Sequence, residues 1–203
     1  MPASITIAGA GPGDPGALTR AVADAYDRAE RIILRTAVHP SLDIAGDPRC
    51  ESCDDLYTTL PTFDAVYAAV VDRVIAAARN ASGEIVYAVP GHPFFGERTV
   101  PALIARARRE GIPLRVLPAA SCVDAVAAAV GADPMAEGLQ LLDGLDLQTI
   151  AEAEPFSGGQ LTLDPARPVL VFQVHDRRAA AGVKLRLART YPDEHPIVVV
   201  TAA

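Results

Sequence analysis

Four side chains in the first half of the chain can bind a substrate or move a proton: Arg35, His39, Tyr57 and His92. Tyrosine and histidine can both accept a proton, so Tyr57 or His39 is a candidate general base. The guanidinium of Arg35 can hold an acidic group such as a carboxylate. An arginine at a strand end and a lone loop histidine are also common as structural residues, and the spacing leaves both interpretations open.

Glycine and proline gather in the loops that follow predicted strands. The loop over residues 9–16 reads Gly-Ala-Gly-Pro-Gly-Asp-Pro-Gly, a second begins Pro-Gly-His-Pro at residue 90, and a third reads Pro-Ala-Ala-Ser-Cys from residue 118. Ligands of open α/β sheets bind at the carboxyl ends of strands, where glycine permits close approach of the backbone. The three loops therefore predict one concave binding site; the alternative is that each is an ordinary turn.

The loop over residues 9–16 lacks the features of a phosphate-binding loop. The dinucleotide fingerprint Gly-x-Gly-x-x-Gly needs a third glycine where this chain has Asp14, and an acid there would repel a pyrophosphate. The P-loop sequence is also missing, and Pro12 and Pro15 lack backbone N–H donors. The loop is better suited to packing against a ligand, which leaves a nicotinamide-dependent reductase as the least favoured function.

The cysteines give a weak signal for metal or redox chemistry. Cys50 and Cys53 form a Cys-x-x-Cys pair without a second pair, and His39 lies outside the usual spacing of a zinc site. A thioredoxin-type pair opens a helix directly after a strand, whereas this pair lies in a polar stretch that we interpret as a loop. We therefore predict reduced thiols and no metal site.

Strand patterns alternate with helical ones, which is typical of an α/β fold with a parallel sheet. The patterns predict strands at 4–8, 31–34, 84–89 and 113–117, helices at 19–29, 62–79, 99–110, 122–130 and 177–190, and an irregular stretch at 36–60. Three strand-like runs come before a last strand at 196–202, and they lie at 139–142, 160–163 and 168–174. They are too close together for every connection between them to be the crossover that a parallel pair requires. We predict two α/β subdomains, 1–117 with a mostly parallel sheet and 118–203 with a mixed sheet.

Composition narrows the classes of protein. The 203 residues are 50% hydrophobic and carry a net charge of −7, which argues against a nucleic-acid binder because such proteins need a concentrated basic surface. Charges interrupt every apolar run before the roughly 18 residues that a membrane span requires. The first four residues carry no basic segment, so no signal peptide is expected and the protein is expected to be cytoplasmic.

Several segments, in consistent order along nearly the whole chain, resemble the tetrapyrrole (corrin/porphyrin) methylases, the class III S-adenosylmethionine-dependent methyltransferases. The closest resemblance is to the methylase-like domain fused to MazG-type nucleoside triphosphate pyrophosphohydrolases. The segments are Ile7–Pro15 with Leu18 and Thr19, Arg35–Thr36 with His39–Pro40, Asp55–Tyr57, Tyr87–Pro93, Lys184–Leu185 and Tyr191–Pro196.

The resemblance implies two α/β domains with S-adenosylmethionine in the cleft between them, in a homodimer. By position it assigns the cofactor to Pro12, Pro90, Gly91, His92, Ser121, Cys122, Gln173 and Val198. Arg35, His39 and Tyr57 are the candidate catalytic residues near that cleft. Two positions depart from the broader family: His92 stands where aspartate is frequent, and Ala119 replaces a common glycine.

The expected function is methyl transfer from S-adenosylmethionine to a small-molecule acceptor, a tetrapyrrole or another compound that the sequence does not identify. The alternative is a non-catalytic module that binds the ligand and regulates a MazG-type hydrolase, present as a further domain of the full-length protein. Methyl transfer from a sulfonium needs alignment of donor and acceptor more than a catalytic triad or a metal.

Overall fold

The protein is described here from a computed structural model, which covers residues 3–44, 46–153 and 162–201. Backbone contacts divide the chain into two compact units, one reaching to Val126 and the other formed by Ala127–Val200. The predicted subdomain boundary at 117/118 lies a few residues before this division. Each unit contains a parallel sheet of its own.

The sheet of the first unit has five parallel strands in the order β3-β2-β4-β1-β5. The strands are β1 Ser4–Gly9, β2 Arg31–Leu34, β3 Cys50–Ser52, β4 Glu84–Val89 and β5 Leu114–Leu117. The apolar runs of β1, β2 and β4 are buried on both faces, as is typical of a parallel sheet covered by helices. The predicted α/β fold with a mostly parallel sheet is confirmed.

Five helices begin in the described part of this unit, and two of them have a threonine cap. They are α1 Arg20–Arg28, α2 Asp54–Thr59, α3 Phe63–Asn80, α4 Thr99–Glu110 and α5 Cys122–Val130, with a 3-10 turn at Pro15–Ala17. The hydroxyls of Thr19 and Thr62 accept the N–H groups of Val22 and Ala65 at the starts of α1 and α3. Gly111 ends α4 in the left-handed conformation.

The stretch predicted to be irregular, 36–60, contains a strand and a helix, so that prediction is wrong in part. Residues Cys50–Ser52 pair with β2 at the edge of the sheet, and Asp54–Thr59 form α2. Of residues 50–59 only Cys53 is fully buried. The segment therefore lacks the apolar periodicity from which the other elements were predicted.

The two faces of the sheet carry separate apolar layers because alternate residues of a strand point to opposite sides. Ile7 and Tyr87 lie in the layer that α3 and α4 cover, while Ala8 and Val86 lie in the layer covered by α1. Both layers are almost completely removed from solvent. In the part of the chain that is described, no helix is long and apolar enough to cross a membrane.

The second unit is built around two parallel strands, β6 Gln140–Asp143 and β7 Val169–Phe172. Its helices are α6 Pro134–Glu137, α7 Gly144–Ala153 and α8 Arg177–Leu187. The mixed sheet predicted here is wrong for these strands, because α7 was not foreseen and begins the crossover that a parallel pair needs. Helix α8 lies close to α7 at Gly182, where a Cβ atom would be 2.7 Å from Gln148 Cα.

Two further strands were predicted in this part of the chain, at 160–163 and 196–202. Residues 160 and 161 lie outside the described residues, and Thr162 and Leu163 form no strand. Residues 196–201 pair with no strand in the described ranges, so the last predicted strand is wrong there, and residue 202 lies outside them. Ile197, Val198 and Val199 are 77%, 76% and 76% exposed. A β-branched run has strand propensity but needs a neighbouring edge to form a strand.

A core prediction follows from the central strand. Val86→Ala removes two methyl groups from a fully buried side chain of β4. We expect the free energy of unfolding to fall by about 2 kcal/mol, from lost burial and the cavity left behind. Val38→Ala is the matched control, since Val38 is 86% exposed, and its cost should stay below about 0.5 kcal/mol. Urea denaturation followed by circular dichroism measures both; equal costs would contradict the packing described here.

Candidate functional site

The loops after β1, β4 and β5 meet at Gly9, the last residue of β1. A Cβ atom on Gly9 would lie 2.7 Å from the carbonyl oxygen of Gly91, 2.8 Å from Cβ of Ala119 and 2.8 Å from Cδ of Pro93. These contacts are shorter than real Cβ contacts, so only glycine allows the three loops to approach this closely. The three strand-end loops picked out in the sequence are therefore neighbours.

The loops after β1 and β4 are also joined by backbone hydrogen bonds. The N–H of Gly11 donates to the carbonyl of Gly91 at 3.3 Å, and the N–H of Gly91 donates to the carbonyl of Gly11 at 2.9 Å. Both glycines have positive φ angles, +76° and +64°. Pro12 and Pro90 are half-buried beside this bridge. The bridge holds the predicted cofactor-binding residues of these two loops in one arrangement.

His39 is hydrogen-bonded next to the loop that follows β1. The hydroxyl of Ser41 donates to the carbonyl of Ala10 at 2.6 Å and lies 2.9 Å from Nδ1 of His39. Burial lowers the pKa of His39, and a backbone hydrogen bond with Gly11 partly opposes that shift. His39 is thus brought to the first loop by Ser41, a residue that the sequence analysis did not single out.

His92 and the start of α5 come together at the loops after β4 and β5. Nδ1 of His92 accepts the N–H of Phe94 at 3.1 Å. The carboxylate of Asp124 accepts the N–H and the hydroxyl of Ser121 at 2.7 and 2.8 Å. These two bonds are the largest causes of the lowered pKa of Asp124. Cys122, the first residue of α5, is half-buried, and burial raises its pKa.

Arg35 lies in a polar and aromatic cluster at the end of β2. Its Nε atom is 3.3 Å from Oε2 of Glu97, and the two side chains are only 13% and 9% exposed. The guanidinium carbon lies 4.7 Å from the ring centre of Tyr57 and 5.3 Å from that of Tyr67. The hydroxyl of Tyr57 is buried and has no hydrogen-bond partner among the described residues. The structure therefore brings Arg35 and Tyr57 together.

A chain of hydrogen bonds continues from Glu97 into the core. Oε1 of Glu97 accepts the N–H and the hydroxyl of Thr99 at 2.9 and 2.6 Å. Because the Thr99 proton is used there, the hydroxyl of Tyr87 must donate to Thr99 across their 2.7 Å separation. Burial raises the pKa of Tyr87, which keeps it protonated. Glu97 and Thr99 were missed because no motif marks a carboxylate whose partners come from other elements.

The remaining predicted cofactor residues belong to the second unit. Gln173 directly follows β7, is half-buried and has a positive φ angle of 61°. Val198 lies in the unpaired segment 196–201 and is 76% exposed. Their assignment to the cofactor remains a prediction from the resemblance.

The Cys-x-x-Cys pair lies at a junction between a strand and a helix rather than in a loop, which corrects the prediction. Cys50 opens β3, and Cys53 precedes α2. Cys53 has no exposed surface, and burial raises its pKa to about 11. This is the opposite of a reactive thiol, whose pKa is lowered. Within residues 3–44, 46–153 and 162–201, no group of three or more histidine, cysteine or acidic side chains is placed to hold a metal ion.

The meeting point of the loops gives a first prediction for the site. Gly9→Ala places a methyl group against the backbone oxygen of Gly91, which cannot move without separating the loops. We expect a loss of about 1–3 kcal/mol in unfolding free energy, the usual cost of overpacking. Gly46→Ala is the control, because nothing lies within 4 Å of a Cβ atom there. Chemical denaturation compares the variants, and a neutral Gly9→Ala would refute the close approach.

The buried ion pair gives a second prediction. Glu97→Gln leaves the charge of Arg35 without its carboxylate in a largely buried position. We expect a destabilisation of about 3 kcal/mol, the scale found when one partner of a buried pair is removed. Glu51→Gln is the control, since its side chain is 40% exposed and pairs with Arg31 near the surface; it should cost less than about 1 kcal/mol. Thermal and urea denaturation measure both, and similar costs would contradict the buried pair.

Comparison with known proteins places the chain in a family. The family model for Tetrapyrrole (Corrin/Porphyrin) Methylases matches residues 4–203. The "Uncharacterized protein YabN" of Bacillus subtilis (strain 168) is 34% identical over 205 residues, covering 100% of this chain and 39% of YabN. The chain therefore spans about two fifths of the length of this relative.

Solved structures with little sequence identity share the fold. Uroporphyrin-III-C-methyltransferase from Thermus thermophilus superposes with a TM-score of 0.62 at 21% identity, covering 95% of this chain and 74% of that one. Diphthine synthase superposes with a TM-score of 0.58 at 17% identity, covering 91% and 72%. Since the family model matches nearly every residue, the chain belongs to the tetrapyrrole (corrin/porphyrin) methylase family.

Proposed function

We propose that the protein is an S-adenosylmethionine-dependent methyltransferase that acts on a small-molecule acceptor. Membership of a methylase family supports the reaction class. The observation that carries the proposal is the meeting of three strand-end loops at Gly9, next to the bridge between Gly11 and Gly91. This is the edge of a parallel sheet at which α/β proteins bind their ligands.

The residues of these loops fit such a cofactor. Nothing lies within 4 Å of a Cβ atom built on Gly91, so its backbone is open to close approach by a ligand. Pro12, Pro90 and Pro93 offer no N–H groups, so this surface is poorly suited to a phosphate and well suited to a flat or apolar group. S-adenosylmethionine has an adenosine and a sulfonium but no phosphate. Its binding would involve Pro12, Pro90, Gly91, His92, Ser121 and Cys122 in this unit, with Gln173 and Val198 assigned by resemblance.

When bound, S-adenosylmethionine supplies a methyl group on a sulfur that is already a good leaving group. The chain then has three tasks: to hold donor and acceptor in line, to exclude water and to take a proton from the acceptor where one must leave. The stiff loops around Gly9 serve the first task. His39 is the better placed base for the third, because it lies beside the loop after β1, whereas the buried Tyr57 hydroxyl lies beside Arg35.

In this proposal Arg35 is not a free cation that binds an acidic substrate group by itself. Glu97 already compensates its charge, and two tyrosine rings cover its guanidinium. An acidic group of the acceptor would share Arg35 with Glu97 rather than meet a free cation. Arg35 therefore contributes by fixing Tyr57 and Tyr67 at this edge of the sheet, and by adding positive charge there.

The second candidate is a ligand-binding module without transferase activity that regulates a MazG-type hydrolase. Its basis is the resemblance of the sequence to the methylase-like domain of MazG-fused proteins; the chain covers 39% of the length of YabN. The ion pair between Arg35 and Glu97 is also compatible with a module that binds a ligand without transferring a group. Binding of S-adenosylmethionine without transfer of its methyl group to a panel of tetrapyrrole, peptide and small-molecule acceptors would favour this candidate.

A homodimer in the cytoplasm is part of the proposal. Helix α5 has seven alanine or valine residues among its nine, yet against the described residues none of them is fully buried. Exposed apolar side chains on a helix are common at subunit interfaces. Sedimentation of the purified chain tests the dimer: a single monomeric species at high concentration would contradict it.

Two glycines with nearly equal backbone angles give a matched test of binding. Gly91→Val and Gly111→Val both place a side chain at a positive φ angle, +64° and +68°, with open space around Cβ. The cost in stability should be similar, because the backbone strain is the same. Only Gly91 lies in a strand-end loop of the site, so only its variant should lose affinity for S-adenosylmethionine, by more than about tenfold.

Isothermal titration calorimetry with S-adenosylmethionine and S-adenosylhomocysteine measures this difference. Circular dichroism confirms that each variant is folded. The absence of heat from either compound at millimolar concentration with the unmodified protein would refute the proposed function. An equal loss of affinity in both variants would refute the placement of the site.

A further inference from the structure

Two histidines of the candidate site make hydrogen bonds whose direction follows from their partners. Nδ1 of His39 lies 2.9 Å from the hydroxyl oxygen of Ser41, and Nδ1 of His92 lies 3.1 Å from the backbone nitrogen of Phe94. A neutral imidazole has one nitrogen that donates and one that accepts, and the partner of one nitrogen fixes both. The tautomer of each ring can therefore be deduced.

At His39 the deduction rests on the single proton of the Ser41 hydroxyl. The hydroxyl oxygen is 2.6 Å from the carbonyl oxygen of Ala10, and a carbonyl only accepts, so the proton lies in that bond. The Ser41 oxygen can then only accept a hydrogen bond from His39, so Nδ1 of His39 must carry a hydrogen. Ser41 is only 7% exposed, so both contacts are largely shielded from water.

At His92 the same reasoning gives the opposite result. The partner of its Nδ1 is the N–H of Phe94, which can only donate. Nδ1 of His92 therefore carries no hydrogen, and the single ring hydrogen of the neutral imidazole is on Nε2. Phe94 belongs to the loop after β4, so the tautomer of His92 is set by that loop's own backbone.

We infer that His39 and His92 are held in opposite tautomers, and that Ser41 is the positioning residue which leaves Nε2 of His39 as a bare proton acceptor. His92, in contrast, offers an Nε2–H donor that suits an oxygen atom of a ligand. The site thereby has one histidine that takes a proton and one that gives a hydrogen bond. Neither the family model nor the sequence patterns assign a role to Ser41.

The use of the bare nitrogen rests on the proposed function. A bond forms between the nucleophilic atom of the acceptor and the methyl carbon, while the carbon–sulfur bond breaks and its electron pair stays on sulfur. The proton of the nucleophilic atom passes to Nε2 of His39, which becomes an imidazolium and returns the proton to water after the product leaves. Burial is the largest cause of the lowered pKa of His39, and it favours the neutral ring from which this step starts.

Nitrogen-15 NMR of the ring nitrogens tests the tautomers without any ligand or activity. The chain has four histidines, and single His→Gln variants assign their signals. At about pH 8, above the ordinary histidine range, we expect the proton of His39 on Nδ1 and that of His92 on Nε2. The exposed His195 serves as the reference ring. A proton on Nε2 of neutral His39, or a doubly protonated His39, would overturn the inference.

Ser41→Ala tests the positioning role. Without the hydroxyl, the preference of His39 for the Nδ1–H tautomer should be lost, and Ser41→Thr, which keeps a hydroxyl, should retain it. Thr62→Ala is the control, because it removes a hydroxyl that caps α3 and costs stability without touching His39. An unchanged His39 tautomer in folded Ser41→Ala would show that Ser41 does not position the ring.

The two proposals fail in different ways. If S-adenosylmethionine gives no heat but the NMR signals show the expected tautomers, the methyltransferase proposal is wrong and the tautomer assignment stands. If the cofactor binds and the tautomers are reversed, only the inference about Ser41 and His39 is wrong. When a transferred methyl group is detected with an acceptor, Ser41→Ala should lower kcat at least tenfold with little change in cofactor affinity.

Discussion

The missing side chain of Gly9 is the constraint on which the rest of the site depends. Strand β1 lies between β4 and β5 in the sheet, so its end is the natural meeting point of three loops. Those loops approach within a distance that no Cβ atom would tolerate. Because they meet, Gly11 and Gly91 can exchange two backbone hydrogen bonds, and the carbonyl of Ala10, the residue before Gly11, accepts the hydroxyl of Ser41. A single glycine thus links the order of the strands to the arrangement of the candidate site.

The fold could be predicted wherever burial leaves a periodic pattern. The apolar runs of β1, β2 and β4 are buried, as is one side of α3, and all four elements were predicted from the sequence. The short strand β3 and helix α2 were not, since they are half-exposed and are held by pairing with β2 and by the carboxylate of Asp54, which accepts from Ala37 N–H and the Ser52 hydroxyl. The error at residues 196–201 is the reverse case: the pattern of a strand is present, but an adjacent strand is absent from the described part of the chain.

The loops that form the candidate site could be picked out from the sequence, whereas the hydrogen bonds around them could not. Glycine and proline mark the loops after β1 and β4 because backbone geometry depends directly on residue type. The partners of Arg35 and His39 come from tertiary contacts. Glu97, the partner of Arg35, lies 62 positions further along the chain. Ser41 contacts both His39 and the carbonyl of Ala10. Ser and Glu are common residues, and nothing in their local sequence distinguishes these two from exposed ones. Similarity to the family supplied the reaction class, which geometry alone does not specify.

The bridge between Gly11 and Gly91 has a further consequence for how a ligand enters and leaves. Two hydrogen bonds and the prolines at positions 12, 90 and 93 make these loops one rigid wall rather than two independent flaps. A rigid wall loses little conformational entropy when a ligand packs against it, which favours affinity. The two bonds also restrict movement of the loops toward a ligand, so this side of the candidate site resembles a template more than a flap. Closure that shields the reacting atoms from water is then expected from other segments of the chain.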